Sequence, residues 1–545
     1  MTPWEESSSP FRSKLLVYFL GLLMVGLGYI AILPPFEGFD ENAHFSRVRE
    51  ISTSFGSALE SESFIDQSLI DFNGPMPYSS GNPPYDQGNV YPKFFSSLDN
   101  VNSFLERYRH GSFDQKFVAS SSPNWQVQHP PLYYLLMAPI LSVSKDLSLV
   151  NQLSLLRVAS LLISLLGLFL GFLSYQNIIE GRLERSNALL GFAVYPIVFP
   201  MFFLEFARLG NDSLCLLITG LTAYCLSFWL RGGNRNMISV LLGCVLGAGL
   251  LTKAFFIPIA AGVGLFLLFQ HLNGGLTKDR LLALARSLCL VFIPTIIIGG
   301  AWYLFKFIAH GDLGLGGEVT ALATKGSVLT SFLHNFNLAG FLRGVLVPLV
   351  TFSWAGSWSL VRMHVIFQLP MLALAGWLFY KYCSYMFRRP LLEYEWVSFW
   401  MFLLLYLALV LHVLISMTLS GLGTSGGWYL HILSPWLAPV IGLALHAVLQ
   451  ERRNKKIFFF LLSYAFFFQM AAIWSHMALF SGYAVKADDK GFSFSEGFLC
   501  LGDVSVIIER LQVLASPIAG LLAFFFGFSL LFITILRVIK LEPRG

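Results

Sequence analysis

The chain has 545 residues, 55% of them hydrophobic and only 12% charged, where a soluble domain carries about 25% charged residues. With a mean hydropathy of +0.66, that excludes a water-soluble globular enzyme, a disordered tail and a collagen-like fibre. It points to one polytopic membrane protein in a single integral domain, 1–545, whose 52 phenylalanines suit helices facing lipid. No nucleic-acid partner is expected.

The six cysteines (Cys215, Cys225, Cys244, Cys289, Cys383 and Cys500) form no CxxC pair, and five lie in or beside apolar runs. A disulfide framework or a cysteine zinc site is not expected.

In chain order, the first element is an apolar run from Lys14 to Leu33 behind Arg12. It ends in Leu33-Pro34-Pro35 without a small-x-small cleavage site, so it reads as an uncleaved first span. Eleven further runs are long enough to cross: 152–178, 187–205, 213–230, 236–252, 254–271, 287–305, 363–384, 396–415, 430–449, 456–475 and 514–537. The predicted fold is therefore an all-α polytopic membrane protein of about 12 transmembrane helices, both termini cytoplasmic. Basic residues agree with that sidedness. Clusters such as Arg182/Arg185, Lys278/Arg280/Arg286 and Arg452/Arg453/Lys455/Lys456 fall on the predicted cytoplasmic side, and the short outer turns hold little beyond Arg208 and Lys253. The apolar stretches 130–144 and 341–361 are, respectively, too short and broken by Arg343 and Pro348, and both are read as interfacial or re-entrant helices on the outer face. Three extracytoplasmic segments are sizeable: 34–151, which carries interfacial helices, then 306–362 and 476–513. No internal repeat favours an inverted-repeat transporter, and no phosphate-cradling glycine loop appears.

The first outer loop opens with Pro34-Pro35-Phe36-Glu37-Gly38-Phe39-Asp40-Glu41-Asn42-Ala43-His44-Phe45-Ser46-Arg47. Asp40 can cap a helix over 41–52, and on that helix Asp40, His44 and Arg47 lie about one and two turns apart on one face. A carboxylate, an imidazole and a guanidinium together suit a general base beside an anion-binding group; a capped interfacial helix with a solvated charged face is the plainer reading. The loop closes with Asn124-Trp125-Gln126-Val127-Gln128-His129-Pro130-Pro131-Leu132-Tyr133-Tyr134. There the prolines fix the entry of an apolar helix, the tyrosines fit an interfacial belt, and His129 sits at membrane level.

The turn Glu205-Phe206-Ala207-Arg208-Leu209-Gly210-Asn211-Asp212-Ser213 holds several ionisable groups. Asp212 can cap the next span, or Arg208 and Asp212 can line a polar cavity, since charge at membrane depth is costly unless paired or wet. Lys253 follows in Gly249-Leu250-Leu251-Thr252-Lys253-Ala254. As one helix, 236–271 would run roughly 54 Å, too long for one crossing, so the chain turns near Lys253. That lysine can snorkel to headgroups or bind a phosphate as a point charge. Finally, Ser425-Gly426-Gly427-Trp428-Tyr429-Leu430-His431 brings glycines for close approach and aromatics that can stack on a sugar or sit in the belt. Arg343, Arg362, His310 and Asp312 lie near the second outer segment without a readable spacing. Glu37, Asp40, Glu41 and His44 could ligate a divalent ion, but there is no HExxH and no Asp-x-Asp.

Taken in order, "PPFEGFDENAHF", "QHPPLYYLL", "ARLGNDS", "GAGLLTK" and "GGWYLHILSPW" resemble the C-type glycosyltransferase superfamily (GT-C), polytopic enzymes that take sugars from polyprenyl-phosphate carriers. The closest resemblance is to a bacterial membrane branch with a DExxHF signature after the first span. It is more distant to protein O-mannosyltransferases and lipid A aminoarabinose transferases. The resemblance implies a helical bundle whose outer first loop lies over a cavity in the inner (plasma) membrane, open to the periplasmic or extracellular side. It implies a sugar donor on a polyprenyl phosphate and a glycan, lipid or protein acceptor. Asp40 would be the catalytic base, with Glu41 as its neighbour. Lys253, with Arg208 and Arg47, would hold the donor phosphate. His44, His129, Asp212, Trp428 and Tyr429 would face sugar or acceptor. Two departures stand out: Trp428 occupies a place where many relatives carry Arg, and Phe36–Phe39 separate the double proline from Asp40. Two other classes remain open, a polymerase or ligase of polyprenyl-diphosphate-linked glycans and a non-catalytic cell-envelope assembly partner.

Overall fold

The computed structural model describes residues 8–60, 62–77, 90–113, 116–179, 182–273, 275–311, 328–358, 365–388, 392–421, 423, 425–483 and 500–539. Helix α1 (Ser8–Ile32) ends where Pro34-Pro35 remove two backbone donors. The first outer loop then carries α2 (Glu41–Thr53), strand β1 (Phe64–Asp66), the short helices α3 (Gln67–Ile70), α4 (Val90–Phe95) and α5 (Leu98–Phe104), strand β2 (Ala119–Pro123), a 3-10 turn at Trp125–Gln128 and α6 (Leu132–Val143). The two strands pair antiparallel, Phe64 opposite Pro123 and Asp66 opposite Ala119, with an irregularity between. This small ribbon has no counterpart in the sequence expectation. Its segments are too short and too polar to show a period.

Then come α7 (Leu149–Ile178), α8 (Arg182–Val198), α9 (Met201–Phe206), α10 (Asp212–Leu230), α11 (Arg235–Leu250), α12 (Phe256–Leu272), α13 (Lys278–Thr295) and α14 (Ala301–His310). A π-helical turn, Ile296–Gly300, joins the last two. The chain continues through α15 (Val328–Asn335), α16 (Leu338–Thr351), α17 (Val365–Met386), α18 (Glu393–Ser420), α19 (Ser434–Leu449), α20 (Arg452–Phe480), α21 (Val504–Leu514) and α22 (Pro517–Ile539). A 3-10 turn at Gly427–Leu433 leads into α19.

The protein is an integral, all-α polytopic membrane protein. Among the described residues, eight helical stretches are long and apolar enough to cross a membrane; counting the pair α15 and α16, bent by 89°, as one span makes nine. The sequence expectation was about twelve. The spans expected at 236–252 and 254–271 fall on the shorter apolar helices Arg235–Leu250 and Phe256–Leu272, divided by the turn at Lys253, while those expected at 187–205 and 363–384 fall on α8, which ends at Val198 before Pro200, and on α17. The segment at 341–361 becomes α16, with Pro348 inside it. Arg362 and Asp312 lie outside the described residues.

Three packings position the site. Helix α10 lies against α7, α2 lies on α6, and α1 lies against α22. In the last pair the backbones nearly touch: a Cβ on Gly527 would stand 2.8 Å from the Gly21 carbonyl oxygen, so only glycine fits.

Candidate active site

The loop leaving α1 is the centre of the site. Phe36 (φ 63°) and Asp40 (φ 56°) are its two non-glycine residues in the left-handed region. Each such residue costs on the order of 1–3 kcal/mol and persists only when its surroundings hold it. Here the holders are visible. Arg157, from α7, donates to the carbonyls of Leu33 (2.6 Å) and Pro34 (2.7 Å) and takes both oxygens of Glu41 (2.7 and 2.5 Å). Arg208 donates to the Phe39 carbonyl at 2.8 Å. Tyr91 and Ser357 donate to the two oxygens of Glu37. A Cβ on Gly38 would stand 2.8 Å from Arg208 Cβ, so glycine there lets the clamp close.

This geometry corrects the role expected of Asp40 as a helix cap. Asp40 occupies the N-cap position of α2, but its side chain makes no capping bond, because the left-handed backbone turns the carboxylate away. Instead it accepts from the indole Nε1 of Trp125 at 3.0 Å. Burial raises the Asp40 pKa above the usual carboxylate range, against the opposing pull of Arg208, the Trp125 bond and Lys253. Glu41, expected beside it in catalysis, is fully buried and engaged by Arg157 and the backbone N–H of Leu209. It fixes the loop.

Asp212 does not cap α10 either; the N-cap is Asn211. The Asp212 carboxylate binds Lys253 through both oxygens, 2.8 and 2.9 Å from Nζ, and lies 3.5 Å from Arg208. Arg208 pairs with Glu205 at 2.5 Å. Arg208, Lys253, Glu205 and Asp212 are all buried. Burial works against the charge of Lys253, yet Asp212 outweighs it and the lysine pKa rises. The Lys253 ammonium also lies over the rings of Phe255 (4.6 Å) and Tyr429 (4.7 Å). Trp428 stacks on Phe39, centroids 4.8 Å apart at 11°, and Arg208 lies 5.6 Å from the Phe39 ring. Phe39, from the residues between the double proline and Asp40, thus joins Trp428 in the aromatic wall of the site, while Phe36 packs on Phe45 and Phe72.

Arg47 turns elsewhere. It pairs with Glu50 and donates to the Ser57 carbonyl at 2.9 Å, in a buried cluster beside the ribbon, so the expected single face of Asp40, His44 and Arg47 is not formed. His44 places its Nδ1 3.0 Å from the Tyr134 hydroxyl. His129 lies within electrostatic reach of Lys253 and Asp212, and burial lowers its pKa to about 3. The interfacial-belt reading of Tyr133 and Tyr134 is corrected: both are fully buried. Tyr133 bonds Ser160 and accepts from the Gly210 N–H, while Tyr134 donates to Gln126 Oε1. His431 bonds Tyr195 and the Phe352 carbonyl at 3.0 Å each.

Glu37, Asp40, Glu41 and His44 do not converge, being held by Tyr91 and Ser357, Trp125, Arg157 and Tyr134 respectively. Among the described residues no three His, Cys, Asp or Glu could hold a metal ion. Sequence reasoning missed Arg157. Its signal is an arginine inside an apolar run, which is costly unless paired. It also missed Asn211, whose side-chain amide is buried with neither nitrogen nor oxygen bonded.

No curated protein matches the sequence. Among solved structures, the chain is similar to ArnT from Cupriavidus metallidurans in the apo state (13% identity, TM-score 0.47, covering 97% of this chain and 77% of that one). It is likewise similar to ArnT from Cupriavidus metallidurans bound to undecaprenyl phosphate (15% identity, TM-score 0.46, 98% and 77%). Residues 128–298, less than half of the chain but including His129, Arg208, Asp212 and Lys253, match the family model for dolichyl-phosphate-mannose-protein mannosyltransferase, and this match supports the resemblance to C-type membrane glycosyltransferases.

Proposed function

We propose that the protein moves a sugar from a polyprenyl-phosphate carrier to an acceptor hydroxyl on the extracytoplasmic side of the membrane. The observation that carries this reading is a partly exposed carboxylate of raised pKa, Asp40, within electrostatic reach of a buried ammonium, Lys253, which itself holds Asp212. A base with a raised pKa is better matched to taking a hydroxyl proton near neutrality. Lys253 spends two N–H groups on Asp212 and has a third to offer.

In the proposed step the acceptor oxygen attacks the anomeric carbon as the bond from that carbon to the phosphate oxygen breaks. The hydroxyl proton passes to Asp40. The carrier phosphate leaves with its charge held near Lys253, and attack from the face opposite the phosphate inverts the anomeric configuration. Arg208 serves mainly to hold the loop and Asp212, since its N–H groups go to Glu205, Asp212 and Phe39. Tyr429, over Lys253, and Trp428 offer ring surface to the sugar, with His44, His129 and Asp212 around it. Arg47 has no part in this scheme.

The test is native mass spectrometry together with transfer from a polyprenyl-phosphate sugar. Asp40→Asn should keep carrier binding and lose transfer, and Lys253→Met should lose carrier binding. Full transfer by a folded Asp40→Asn would refute the base. If neither the wild type nor the variants bound any polyprenyl phosphate, a non-catalytic envelope role would replace this reading.

A further inference from the structure

The 3-10 turn Trp125–Gln128 touches the site twice. Trp125 donates to Asp40, and the next residue accepts from Tyr134, whose hydroxyl lies 3.2 Å from Gln126 Oε1. A tyrosine hydroxyl has one proton to give. With that proton directed at Gln126, the Tyr134 oxygen is left to accept, and the group 3.0 Å away is His44 Nδ1. With the Gln126 amide oxygen turned toward Tyr134, this order of bonds puts the imidazole proton on Nδ1. Its other nitrogen, Nε2, is a bare lone pair with no hydrogen-bond partner among the described residues. His44 stands one turn beyond Asp40, its backbone N–H bonded to the Asp40 carbonyl at 2.9 Å, and both the Asp40 and the His44 side chains lie within electrostatic reach of Arg208 and Lys253.

We propose that the Gln126–Tyr134 relay locks His44 in the neutral, Nδ1-protonated form, so that its Nε2 accepts a hydrogen bond from a sugar hydroxyl bound beside Asp40. The sugar contact rests on the function proposed above; the tautomer does not. Burial first, then the charges of Arg208 and Lys253, hold the His44 pKa well below its ordinary value, which keeps the ring neutral. The groups facing His44 are Tyr133 and Tyr134 from α6, Arg208 from the turn before α10, Lys253 from the turn before α12, and His129. None of them is placed to give Nε2 a proton.

An acceptor in a cluster holding two cations is selective. A phosphate oxygen without a proton has nothing to offer it, whereas a sugar hydroxyl does. The hydroxyl whose proton passes to Asp40 cannot serve both groups, so His44 reads a different one. A site built around a particular hydroxyl penalises the analogue lacking it, here by roughly tenfold or more.

The experiment uses the full chain in lipid bilayers, labelled with 15N-histidine, with the His44 signals identified by their loss in His44→Gln. Ring-nitrogen NMR at pH 7 should show Nδ1 protonated and Nε2 not. Tyr134→Phe, which removes the acceptor, should give mixed tautomers. Gln126→Ala frees the Tyr134 proton for Nδ1 and should shift His44 toward the Nε2-protonated form. An Nε2-protonated or doubly protonated ring in the wild type overturns the proposal without any variant having to fold. So does an unchanged His44 in both folded variants. Dolichyl-phosphate-mannose should then move the Nε2 resonance while bare dolichyl phosphate leaves it in place. An equal shift with both would mean a phosphate contact, and no shift with either while both bind would remove the sugar contact. If neither carrier bound by native mass spectrometry, the function reading would fail and the sugar contact with it, and the ligand-free spectrum would still decide the tautomer.

Discussion

Replacing Arg157 by methionine keeps the length and apolar stem of the side chain and removes its charge. The structure loses two bonds to Glu41 and one each to the Leu33 and Pro34 carbonyls. What remains is a carboxylate at 0% exposure with no cation, a situation that costs about 3–5 kcal/mol. The double variant Arg157→Met/Glu41→Gln leaves no uncompensated charge and should regain at least half of that loss. Denaturant titration of the purified protein in mixed micelles reads both numbers, and adding the single variant Glu41→Gln closes the cycle that gives the coupling of the pair. Activity should fall further than stability. With its clamps gone, the loop can relax Phe36 and Asp40 out of the left-handed region, so transfer should be lost at temperatures where Arg157→Met is still folded. A single-variant cost below about 1 kcal/mol, or a double variant no better than the single, would refute the idea that this pair holds the loop.

Asp40→Asn should lower transfer by roughly 10²–10⁴-fold and raise stability at pH 7. In the folded protein the Asp40 pKa is raised, so its charged form costs stability once the pH exceeds the usual carboxylate value, and asparagine removes that cost. The gain should shrink as the pH falls and vanish below about pH 3, under the ordinary carboxylate value, where Asp40 is largely protonated in both states; a gain independent of pH would contradict it. Trp125→Phe removes a bond that favours the charged form and should move the acid limb of the transfer profile to higher pH, visible in a pH–rate series. His129 is held near a pKa of about 3 against an ordinary 6.5, so the fold excludes a proton that the unfolded chain accepts. Stability should therefore be whole above about pH 6.5 and fall as the pH drops toward 3. Melting curves should show a shallower fall in His129→Gln.

The charged turns were legible in the sequence because each puts costly groups at the outer ends of apolar runs. Lys253, Arg208 and Asp212 sit in such turns, and the structure joins them in one cluster. Asp40 and His44 were legible through helical spacing. Spacing says nothing of backbone sign, so the left-handed turn at Asp40, and with it the lost cap, could not be read. Nor could the diversion of Arg47, since Glu50 lies on the same helix at an equally good separation. Tyr133 and Tyr134 looked like belt residues because an apolar helix of twelve residues at an interface is ambiguous until α2 is laid on it. The eight or nine long apolar helices are a count over the described residues; the turn at Lys253 divides one apolar run into helices of 16 and 17 residues, at the short end of what crosses a bilayer.

The close fit of α1 to α22 has a consequence for biogenesis. The Ser516 N–H, just before α22, bonds the Ala31 carbonyl at 2.7 Å, and Arg109 in the outer loop reaches the Ala515 carbonyl. The strand of chain that presents Asp40 is thus braced by residues translated some five hundred positions later. Until the ribosome has delivered Pro517–Ile539, the first helix has an open glycine-lined flank and the loop above it lacks a strut. A chain halted before that helix would lack the brace on the segment that carries Asp40.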